Sequence, residues 1–328
     1  MSKQMIQADS AELFLGFEEL LGRNDLKLAL QELVKQELNL TLLFIGEKGL
    51  GKYSLARALS EILLCSNQQT DTKTKLPLAC HVCDSCRYLR AKTHPDFKEL
   101  RATEANKQLS MEQIRDFIDT ETHMLPVLGH RRVFIIDMDA ISKAGQNLLL
   151  KTIESGASSN FYILLSSNQN SVLATIRSRS LLYLLPHLTQ TDLAELWAKL
   201  PADLTQRKSK AEMIEFAGGN AGFLCQLLAD SEFLLAYKDL SALFQRLFQL
   251  DLAGLLTEAY QELTNYKDKQ QLAYLEQIWL FLFYRKCQTD KLYITAFQAW
   301  EKCIRRLQAN GSFELQIQAF LIAFSKVL

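Results

Sequence analysis

The sequence predicts an α/β domain built on a parallel sheet, followed by a region made of helices. Over the first 186 residues, short apolar runs of strand length alternate with amphipathic segments of helical period, and this alternation is typical of a parallel sheet covered by helices. From about Leu188 onward such runs stop, and apolar residues recur every three or four positions. With 13 glycines and 5 prolines among 328 residues, the chain has few helix breakers and is expected to be rich in helices with short connections.

Five segments carry the strand prediction. Each is short enough to be a strand and lies between segments of helical period. Because strands alternate with helices, the strands are expected to pair in parallel. The segments span residues 41–45, 97–101, 133–136, 161–165 and 180–185.

The length and these patterns predict three domains. Residues 1–187 form the α/β domain, which contains a metal-binding insert at residues 65–86. Residues 188–231 form a small helical domain, and residues 232–328 form a larger one. In the last domain, residues 279–284 are rich enough in large apolar groups to supply both a core and a surface for helix packing.

Composition and charge exclude several classes of protein. Hydrophobic residues make up 48% of the chain, which excludes a wholly disordered protein. The 37 lysines and arginines balance the 37 aspartates and glutamates, and this argues against a protein that holds DNA or RNA through one broad basic face. The longest apolar run, residues 278–284, is too short to span a membrane, and residues 1–10 lack the core of a signal peptide. We therefore expect a soluble, cytoplasmic protein with no membrane partner.

A glycine-rich loop follows the first predicted strand and opens a helix. Gly46, Gly51 and Lys52 satisfy the spacing G-x-x-x-x-G-K, and Gly49 adds a third glycine. In such loops backbone N–H groups close around phosphate oxygens, and the lysine adds a positive charge. The next position should carry a Ser or Thr hydroxyl that ligates Mg²⁺, but it is Tyr53, whose phenol is too long and rigid for that place. The loop therefore predicts a degenerate nucleotide site.

The acidic partner of this loop is also incomplete. Asp137 follows the predicted strand 133–136 at the edge where open α/β sheets bind ligands, so it is the candidate acid of the nucleotide site. The next residue, Met138, cannot position water, although Asp139 is a candidate substitute. We therefore expect no ATP hydrolysis. Two alternatives stay open: ATP or ADP bound without hydrolysis, or a tight strand-to-helix turn that binds no nucleotide.

Four of the seven cysteines lie within 22 positions and predict a metal site. Cys80, Cys83 and Cys86 are spaced C-x-x-C-x-x-C, and Cys65 at the end of the loop helix can supply a fourth thiolate. Four thiolates suit a structural Zn²⁺ ion in a closed tetrahedral site. The alternatives are part of an iron–sulfur site and reduced thiols without metal.

Five further segments occur in an order and spacing that is typical of one family. Together with the phosphate loop and the cysteine insert, they make the chain similar to the delta-prime subunits of bacterial DNA polymerase III clamp loaders, which are AAA+ proteins. The resemblance covers most of residues 14–186 and, more faintly, the helical remainder. The segments are residues 17–23 (FEELLGR), 93–97 (THPDF), 111–115 (MEQIR), 147–154 (NLLLKTIE) and 174–180 (ATIRSRS).

The resemblance implies a fold and a set of partners. It implies an AAA+ α/β domain with an inserted zinc module, a helical lid at residues 188–231 and an all-α oligomerisation collar at residues 232–328. Such subunits assemble into an open ring with the delta subunit and the gamma/tau ATPase subunits, within the DNA polymerase III holoenzyme. Through them they act on the sliding clamp and on primer-template DNA. A delta-prime subunit is the stator of this ring and does not hydrolyse ATP.

The resemblance also implies roles for single residues. Arg179 matches the arginine of the family's Ser-Arg-Cys motif, which reaches into the ATP site of the neighbouring subunit. A guanidinium offered in this way stabilises charge on the transferred phosphoryl group. Ser167 matches the sensor position, and Phe223 stands where active subunits often keep a sensor arginine. The residues assigned to the degenerate nucleotide site are thus Gly46, Gly49, Gly51, Lys52, Asp137 and Ser167.

Two alternative functions remain. A catalytically active ATPase of the gamma/tau type would use Lys52, Asp137 and Asp139, but Tyr53 and Met138 argue against it. A zinc-dependent nucleic-acid-binding module would need a basic surface, and the zero net charge argues against that.

Overall fold

A computed structural model describes most of the chain, which divides into two compact units, Met1–Cys225 and Gln226–Leu328. The helices between residues 188 and 225, which we predict to belong to a separate small domain, lie in the first unit. The described residues are 16–36, 40–102, 108–155, 157, 159–205, 209–289, 293–309 and 311–326.

A five-stranded parallel sheet forms the centre of the first unit. The strands of this unit are β1 (Thr41–Ile45), β2 (Gln69–Thr70), β3 (Pro77–Leu78), β4 (Phe97–Leu100), β5 (Arg132–Asp137), β6 (Asn160–Ser166) and β7 (Leu181–Leu184). The sheet has the order β4-β5-β6-β1-β7, while β2 and β3 form an antiparallel hairpin of their own. All neighbouring pairs in the large sheet are parallel. The five predicted strands and their parallel pairing are therefore confirmed.

The central strands are buried because their side chains are almost all apolar. Every residue of β1 and β6 is buried, as expected for parallel strands that are covered on both faces. One face packs through Phe44 and Val133 onto the helix after the phosphate loop, including its Leu59. The other face packs Phe134 against Ile114. Each fully buried side chain of this kind contributes about 1.5–3 kcal/mol.

Ten helices surround these strands within the described part of the first unit, and local signals set their ends. One begins with a capping box, in which Ser110 Oγ accepts from the backbone N–H of Gln113 and the Gln113 side chain accepts in return. Another ends at Gly218, whose left-handed conformation stops the helix. The last of the ten contains the boundary between the units. The helices are α1 (Asn24–Lys35), α2 (Lys52–Leu64), α3 (Asp84–Arg90), α4 (Met111–Glu121), α5 (Lys143–Ser155), α6 (Ala174–Arg177), α7 (Gln190–Lys199), α8 (Ala202–Thr205), α9 (Lys210–Ala217) and α10 (Ala221–Ala229).

β7 is the outer strand on one side of the sheet, and its surface is apolar. Leu181, Leu182 and Leu184 are 42%, 40% and 63% exposed. Tyr183 packs inward, and its ring centroid lies 6.2 Å from that of Phe44. An outer strand carries backbone N–H and C=O groups that its own sheet does not pair, so β7 combines an open edge with exposed leucines.

The second unit is built from helices around an aromatic core. Trp279 and Trp300 are fully buried, with ring centroids 4.8 Å apart, and Phe283 and Phe320 pack against both. Trp279 Nε1 donates to the backbone carbonyl of Leu240 at 3.3 Å. The α-helices are α11 (Ser231–Leu247), α12 (Leu252–Gly254), α13 (Tyr260–Leu263), α14 (Lys269–Thr289), α15 (Tyr293–Gln308) and α16 (Phe313–Ser325). Among the described residues of both units, no helix combines the length and apolar character needed to cross a bilayer.

Candidate functional site

The phosphate loop connects β1 to α2 and leaves the start of that helix open. Gly49 and Gly51 have φ angles of 89° and 81°, in the left-handed region that favours glycine. Gly51 is the N-cap of α2 and provides no side-chain cap. The first amide N–H groups of a helix have no acceptor within it, so the start of α2 can receive the oxygens of an anion.

Lys52 lies inside this loop. Its Nζ donates to the backbone carbonyl oxygens of Gly46 at 2.5 Å and Glu47 at 2.9 Å. Burial lowers the pKa of Lys52, although the nearby carboxylates of Asp139 and Asp137 oppose the shift. The lysine of the loop and the acids at the end of β5 therefore lie close enough to act on one another.

The turn before α10 contacts the phosphate loop directly. Asn220 Nδ2 donates to the Lys48 carbonyl at 2.9 Å, and the Gly222 N–H donates to the Gly49 carbonyl at 2.9 Å. A Cβ atom on Gly49 would lie 2.3 Å from Asn220 Oδ1, and one on Gly222 would lie 2.6 Å from Gly49 Cα. Close contact therefore requires glycine at both positions, and the buried Asn220 fixes the shape of the loop.

Tyr53, at the position of the usual Mg²⁺ ligand, is held by two arginines. Its hydroxyl oxygen accepts from Arg57 Nη1 at 3.1 Å. The guanidinium carbon of Arg101 lies 3.9 Å from the centre of the Tyr53 ring, which is a cation–π contact. Burial raises the pKa of Tyr53, and Glu99 adds to this effect. The phenol is thus a protonated member of a hydrogen-bonded cluster.

The acids at the end of β5 are engaged in hydrogen bonds. Asp137 accepts from the backbone N–H of Asp139 at 3.1 Å. Asp139 in turn accepts from Ser166 Oγ on one oxygen and from the Ser167 N–H on the other, each at 2.7 Å. Burial raises the pKa of Asp137, and the neighbouring Asp139 raises it further. Asp139 therefore links the ends of β5 and β6 through both of its carboxylate oxygens.

Arg179 lies in the turn between α6 and β7, and 46% of its side chain is exposed. Its Nε lies 2.7 Å from Glu154 Oε1, and its Nη1 donates to the Thr175 carbonyl at 3.1 Å. Exposed ion pairs of this kind contribute at most about 1 kcal/mol. Arg179 is therefore a surface cation that an ion pair of small energy holds beside Glu154.

Four cysteines converge at the other end of α2. Cys65 follows the helix directly, while Cys80, Cys83 and Cys86 lie at and before the start of α3. Their Sγ atoms all lie within 4.8 Å of one another, with Cys65 at 3.5 Å from Cys80 and 3.9 Å from Cys83. Four sulfurs bound at about 2.3 Å to one tetrahedral ion stand about 3.8 Å apart. The cluster therefore has the size and donor set to hold one metal ion.

The cysteine thiols differ in acidity. Burial raises the pKa of Cys65 to about 11. Burial also acts upward on Cys83, but hydrogen bonds from Ser66 and Cys86 outweigh it and bring its pKa to about 6. Because the thiolate is the form that binds metal, Cys83 offers a ready ligand at neutral pH.

Buried polar groups attach the cysteine insert to the rest of the first unit. Ser85 Oγ donates to the Leu64 carbonyl at 2.5 Å and lies 2.7 Å from His94 Nε2. The Asp96 N–H donates to His94 Nδ1 at 3.0 Å, and burial lowers the pKa of His94. The neutral imidazole therefore donates from Nε2 to Ser85, and it connects α3 to the segment that enters β4.

A family model described as "DNA polymerase III, delta subunit" matches residues 23–189, which include every strand of the large sheet. The chain belongs to this clamp-loader family. Among its relatives, the DNA polymerase III subunit delta' of Pseudomonas aeruginosa is 31% identical over 137 residues, which are 42% of this chain and 40% of the relative. The subunit delta' of Escherichia coli is 28% identical over 184 residues, 56% of this chain and 53% of the relative. The chain thus spans about half, or less, of the length of these clamp-loader subunits.

Subunits of a second kind are also similar to this clamp-loader chain. The DNA polymerase III subunit tau of Escherichia coli is 32% identical over 155 residues, 47% of this chain and 22% of the relative. A solved structure of a DNA polymerase III gamma subunit-related protein from Thermotoga maritima has a TM-score of 0.40 at 16% identity, and the match covers 91% of this chain and 98% of that one. A RuvB variant from the same organism has a TM-score of 0.44 at 15% identity, with 70% and 66% covered.

The parallel sheet and the helices that follow it fit the AAA+ fold of clamp-loader subunits. The predicted loop residues lie at the carboxyl end of β1; they are Gly46, Gly49, Gly51 and Lys52. Asp137 is the last residue of β5, and β6 lies between β5 and β1 in the sheet. Ser167, the predicted sensor, is exposed and contributes its backbone N–H.

Sequence reasoning missed several polar residues of this clamp-loader site. Ser166, the last residue of β6, supplies the buried hydroxyl one position before the predicted one. Arg101 and Asn220 reach the site from distant parts of the chain. Arg23 does so as well, since its Nη1 lies 3.9 Å from the Cβ position of Gly51 and burial lowers its pKa to about 10. A signal existed for Arg101, because it is the last residue of the predicted strand 97–101.

Proposed function

We propose that this chain is the stator of a DNA polymerase III clamp loader, a delta-prime subunit that does not hydrolyse ATP. In this role it helps to load the sliding clamp onto primed DNA and offers Arg179 to the ATP site of a neighbouring subunit. The observation that carries the proposal is that the nucleotide site of this chain keeps some P-loop residues and lacks others. The phosphate loop keeps its glycines and lysine, but Tyr53 replaces the metal ligand and both Asp139 oxygens are engaged. P-loop hydrolysis needs both a metal and a group that positions water.

The surroundings of Arg179 support its role as an arginine finger. A finger has to be exposed, held in place and free to change partner. The backbone N–H of Arg179 donates to the Ile176 carbonyl at 3.1 Å, which stiffens the turn, while Glu154 holds the guanidinium at 2.7 Å on the surface. A phosphate accepts a guanidinium in two parallel hydrogen bonds, each stronger than a neutral one. The phosphate of a neighbour can therefore displace Glu154.

The test of the finger is ATP hydrolysis by an assembled clamp loader that contains Arg179→Ala. We expect clamp- and DNA-stimulated turnover to fall by about tenfold or more, because a finger is worth far more than that at a single site. Arg177→Ala, two residues away in the same segment, is the matched control and should leave turnover unchanged. Normal turnover with Arg179→Ala in a fully assembled loader would refute the assignment.

We propose the delta subunit and the gamma/tau ATPase subunits as direct partners, in the bacterial cytoplasm. The sliding clamp and primer-template DNA are indirect partners. The similarity to subunits named delta' and tau supports such an assembly. In the proposed collar, residues 232–328, Leu280, Leu315 and Ile322 are 45%, 64% and 41% exposed, and exposed apolar side chains of this kind suit packing against helices of other subunits.

We propose that the four-cysteine cluster holds a structural Zn²⁺ ion. Thiolates and tetrahedral geometry both suit zinc, and the sulfur separations agree with the spacing that such an ion imposes. Four protein ligands leave no position for a substrate. The ion then braces the insert at residues 65–86 without taking part in chemistry.

An active ATPase of the tau type is the second candidate, favoured by the 32% identity to tau and by Lys52. The two candidates differ in Mg²⁺-dependent ATP hydrolysis by the purified chain, alone and with primed DNA. ATP hydrolysis faster than that of a Lys52→Ala variant would show that the chain is an active ATPase subunit and not the stator. Turnover equal to that of the variant supports the stator.

A further inference from the structure

Arg101 is placed by the sheet beside the acid of the nucleotide site. Leu100, the last residue of β4, pairs with Ile136 of β5, so Arg101 comes level with Asp137 on the adjacent strand. Adjacent strands lie about 4.8 Å apart. The guanidinium carbon of Arg101 lies 3.9 Å from the centre of the Tyr53 ring. Its charge therefore lies against Tyr53, which replaces the metal ligand, and β4 leads it to the edge of the sheet where β5 ends at Asp137.

Mg²⁺ does not fit this set of side chains. In P-loop proteins a short hydroxyl after the lysine and an acid at a strand end hold the ion. Here the Tyr53 hydroxyl accepts from Arg57 at 3.1 Å, and the Arg101 guanidinium lies against the ring. Mg²⁺ demands nearly ideal octahedral geometry at about 2.1 Å, and the positive charge of Arg101, which acts on Asp137, repels a second cation. Tyr53 and Arg101 therefore do not provide the ligands that hold Mg²⁺ in an active P-loop site.

We propose that this site binds a nucleoside di- or triphosphate without a divalent metal, and that Arg101 supplies the positive charge that Mg²⁺ supplies elsewhere. Lys52 approaches the phosphates from the loop, where it exchanges its two carbonyl acceptors for phosphate oxygens. Arg101 approaches them from the end of β4. A guanidinium is planar and permanently charged, and it matches phosphate in a bidentate manner. Stacking on Tyr53 restrains its orientation before the ligand arrives.

The phosphate loop indicates that the ligand is a nucleoside phosphate. The use of a guanidinium in place of Mg²⁺ explains why this ligand is not hydrolysed. One guanidinium can neutralise phosphate oxygens, but it cannot activate water as a metal ion does. A nucleotide held in this way keeps its phosphates. The inference rests on the non-hydrolysing site of the proposed stator and makes no use of Arg179.

The test is binding of ADP to the full chain, measured by calorimetry in EDTA and again in excess Mg²⁺. We expect ADP to bind in EDTA at least as tightly as in Mg²⁺. Arg101→Gln should weaken binding in EDTA by about tenfold or more, since it removes one charge-assisted contact. Arg115→Gln, on the exposed face of α4, is the matched control and should bind as the wild type does. Arg101→Lys keeps the charge but loses the planar guanidinium, so its affinity for ADP should lie between those of the wild type and Arg101→Gln.

Three results would overturn the proposal: ADP binding that requires Mg²⁺, no binding of ADP under either condition, or equal affinities for the Arg101→Gln and Arg115→Gln variants. Zinc content and thermal unfolding of each variant show that it is folded, and Arg101→Lys provides a second readout if Arg101→Gln is unstable. Failure here leaves the arginine finger standing, because that role is measured by ATP hydrolysis in the neighbouring subunit.

Discussion

The two ends of α2 carry two sites that are assembled in different ways. At its C-terminal end, Cys65 meets three cysteines that are themselves within seven positions of one another. At its N-terminal end, Lys52 lies near the carboxylates of Asp137 and Asp139. Arg101, from the end of β4, contacts the ring of Tyr53, and the turn before α10 contacts the phosphate loop. The first site is a complete donor set in a compact insert. The second site is formed by residues from distant parts of the chain, so a single substitution can change its chemistry while the fold of the phosphate loop is kept.

The comparison predicts that removing one cysteine has the largest effect. Cys83→Ser takes away one of the four ligand thiols, so zinc content should fall from about one ion per chain to almost none. The first unit should lose about 10 °C in melting temperature, because metal binding and folding are coupled. Atomic emission and differential scanning calorimetry measure both. Cys287→Ser, in the second unit, is the control, and an unchanged zinc content in Cys83→Ser would contradict the four-cysteine site.

A smaller loss of stability is expected when the contact between the phosphate loop and the turn before α10 is disturbed. Gly49→Ala places a Cβ 2.3 Å from Asn220 Oδ1 at a φ of 89°, so we expect a loss of about 3 kcal/mol in the free energy of unfolding. Gly129→Ala is the control, because a Cβ there meets nothing within 4 Å. Urea denaturation gives both values. Equal stabilities would mean that the loop is free to move away from Asn220.

His187, which lies beside the phosphate loop, predicts that the free energy of unfolding depends on pH. Its Nε2 lies 3.5 Å from Glu47 Oε2 and its Nδ1 lies 3.0 Å from the Gly218 carbonyl. The neighbouring carboxylate of Glu47 raises the pKa of His187, against burial. A raised folded-state pKa gives stability that is complete below the unfolded value of about 6.5 and is lost as pH rises through the folded value.

We therefore expect the wild type to lose about 1 kcal/mol more than His187→Gln does between about pH 6 and pH 8. Urea midpoints at the two pH values measure this difference. His130→Gln, at an exposed histidine, should behave as the wild type does. A His187→Gln variant with the same pH dependence as the wild type would show that Glu47 does not hold the ring.

The smallest expected effect is on turnover. Tyr53→Thr restores a short hydroxyl, yet ATP hydrolysis should stay at background, because Met138 is buried and both Asp139 oxygens remain engaged. Tyr88→Thr, at an exposed tyrosine on α3, is the control in the same Mg²⁺-dependent assay. Robust turnover by Tyr53→Thr would show that the acids at the end of β5 are competent and that one residue separates stator from motor.

The sequence predicted the large sheet and the cysteine cluster for the same reason: the signal was local. Continuous apolar runs identify β1 and β6 because those strands are buried on both faces. Three of the cysteines are close in sequence, so their spacing alone indicates a turn. By contrast, the hairpin β2–β3 was missed because each strand has two residues, too few for any periodicity.

The residues that shape the nucleotide site were harder to predict because they are distant in sequence. Asn220 contacts Lys48 across 172 positions, and nothing near either residue indicates the pairing. The role of Ser166 was not predicted, because strand ends cannot be predicted to a single residue. Arg101 required the pairing register of β4 with β5, which only the assembled sheet provides.

The outer strand β7 affects how the isolated chain behaves in solution. At an isoelectric point of about 7.0, copies of the chain do not repel one another electrostatically at neutral pH. Their open edges carry Leu181, Leu182 and Leu184, and an open apolar edge favours self-association through strand pairing. We therefore expect the purified chain to lose colloidal stability near neutral pH, and to stay dispersed in buffers one or two pH units away from that point.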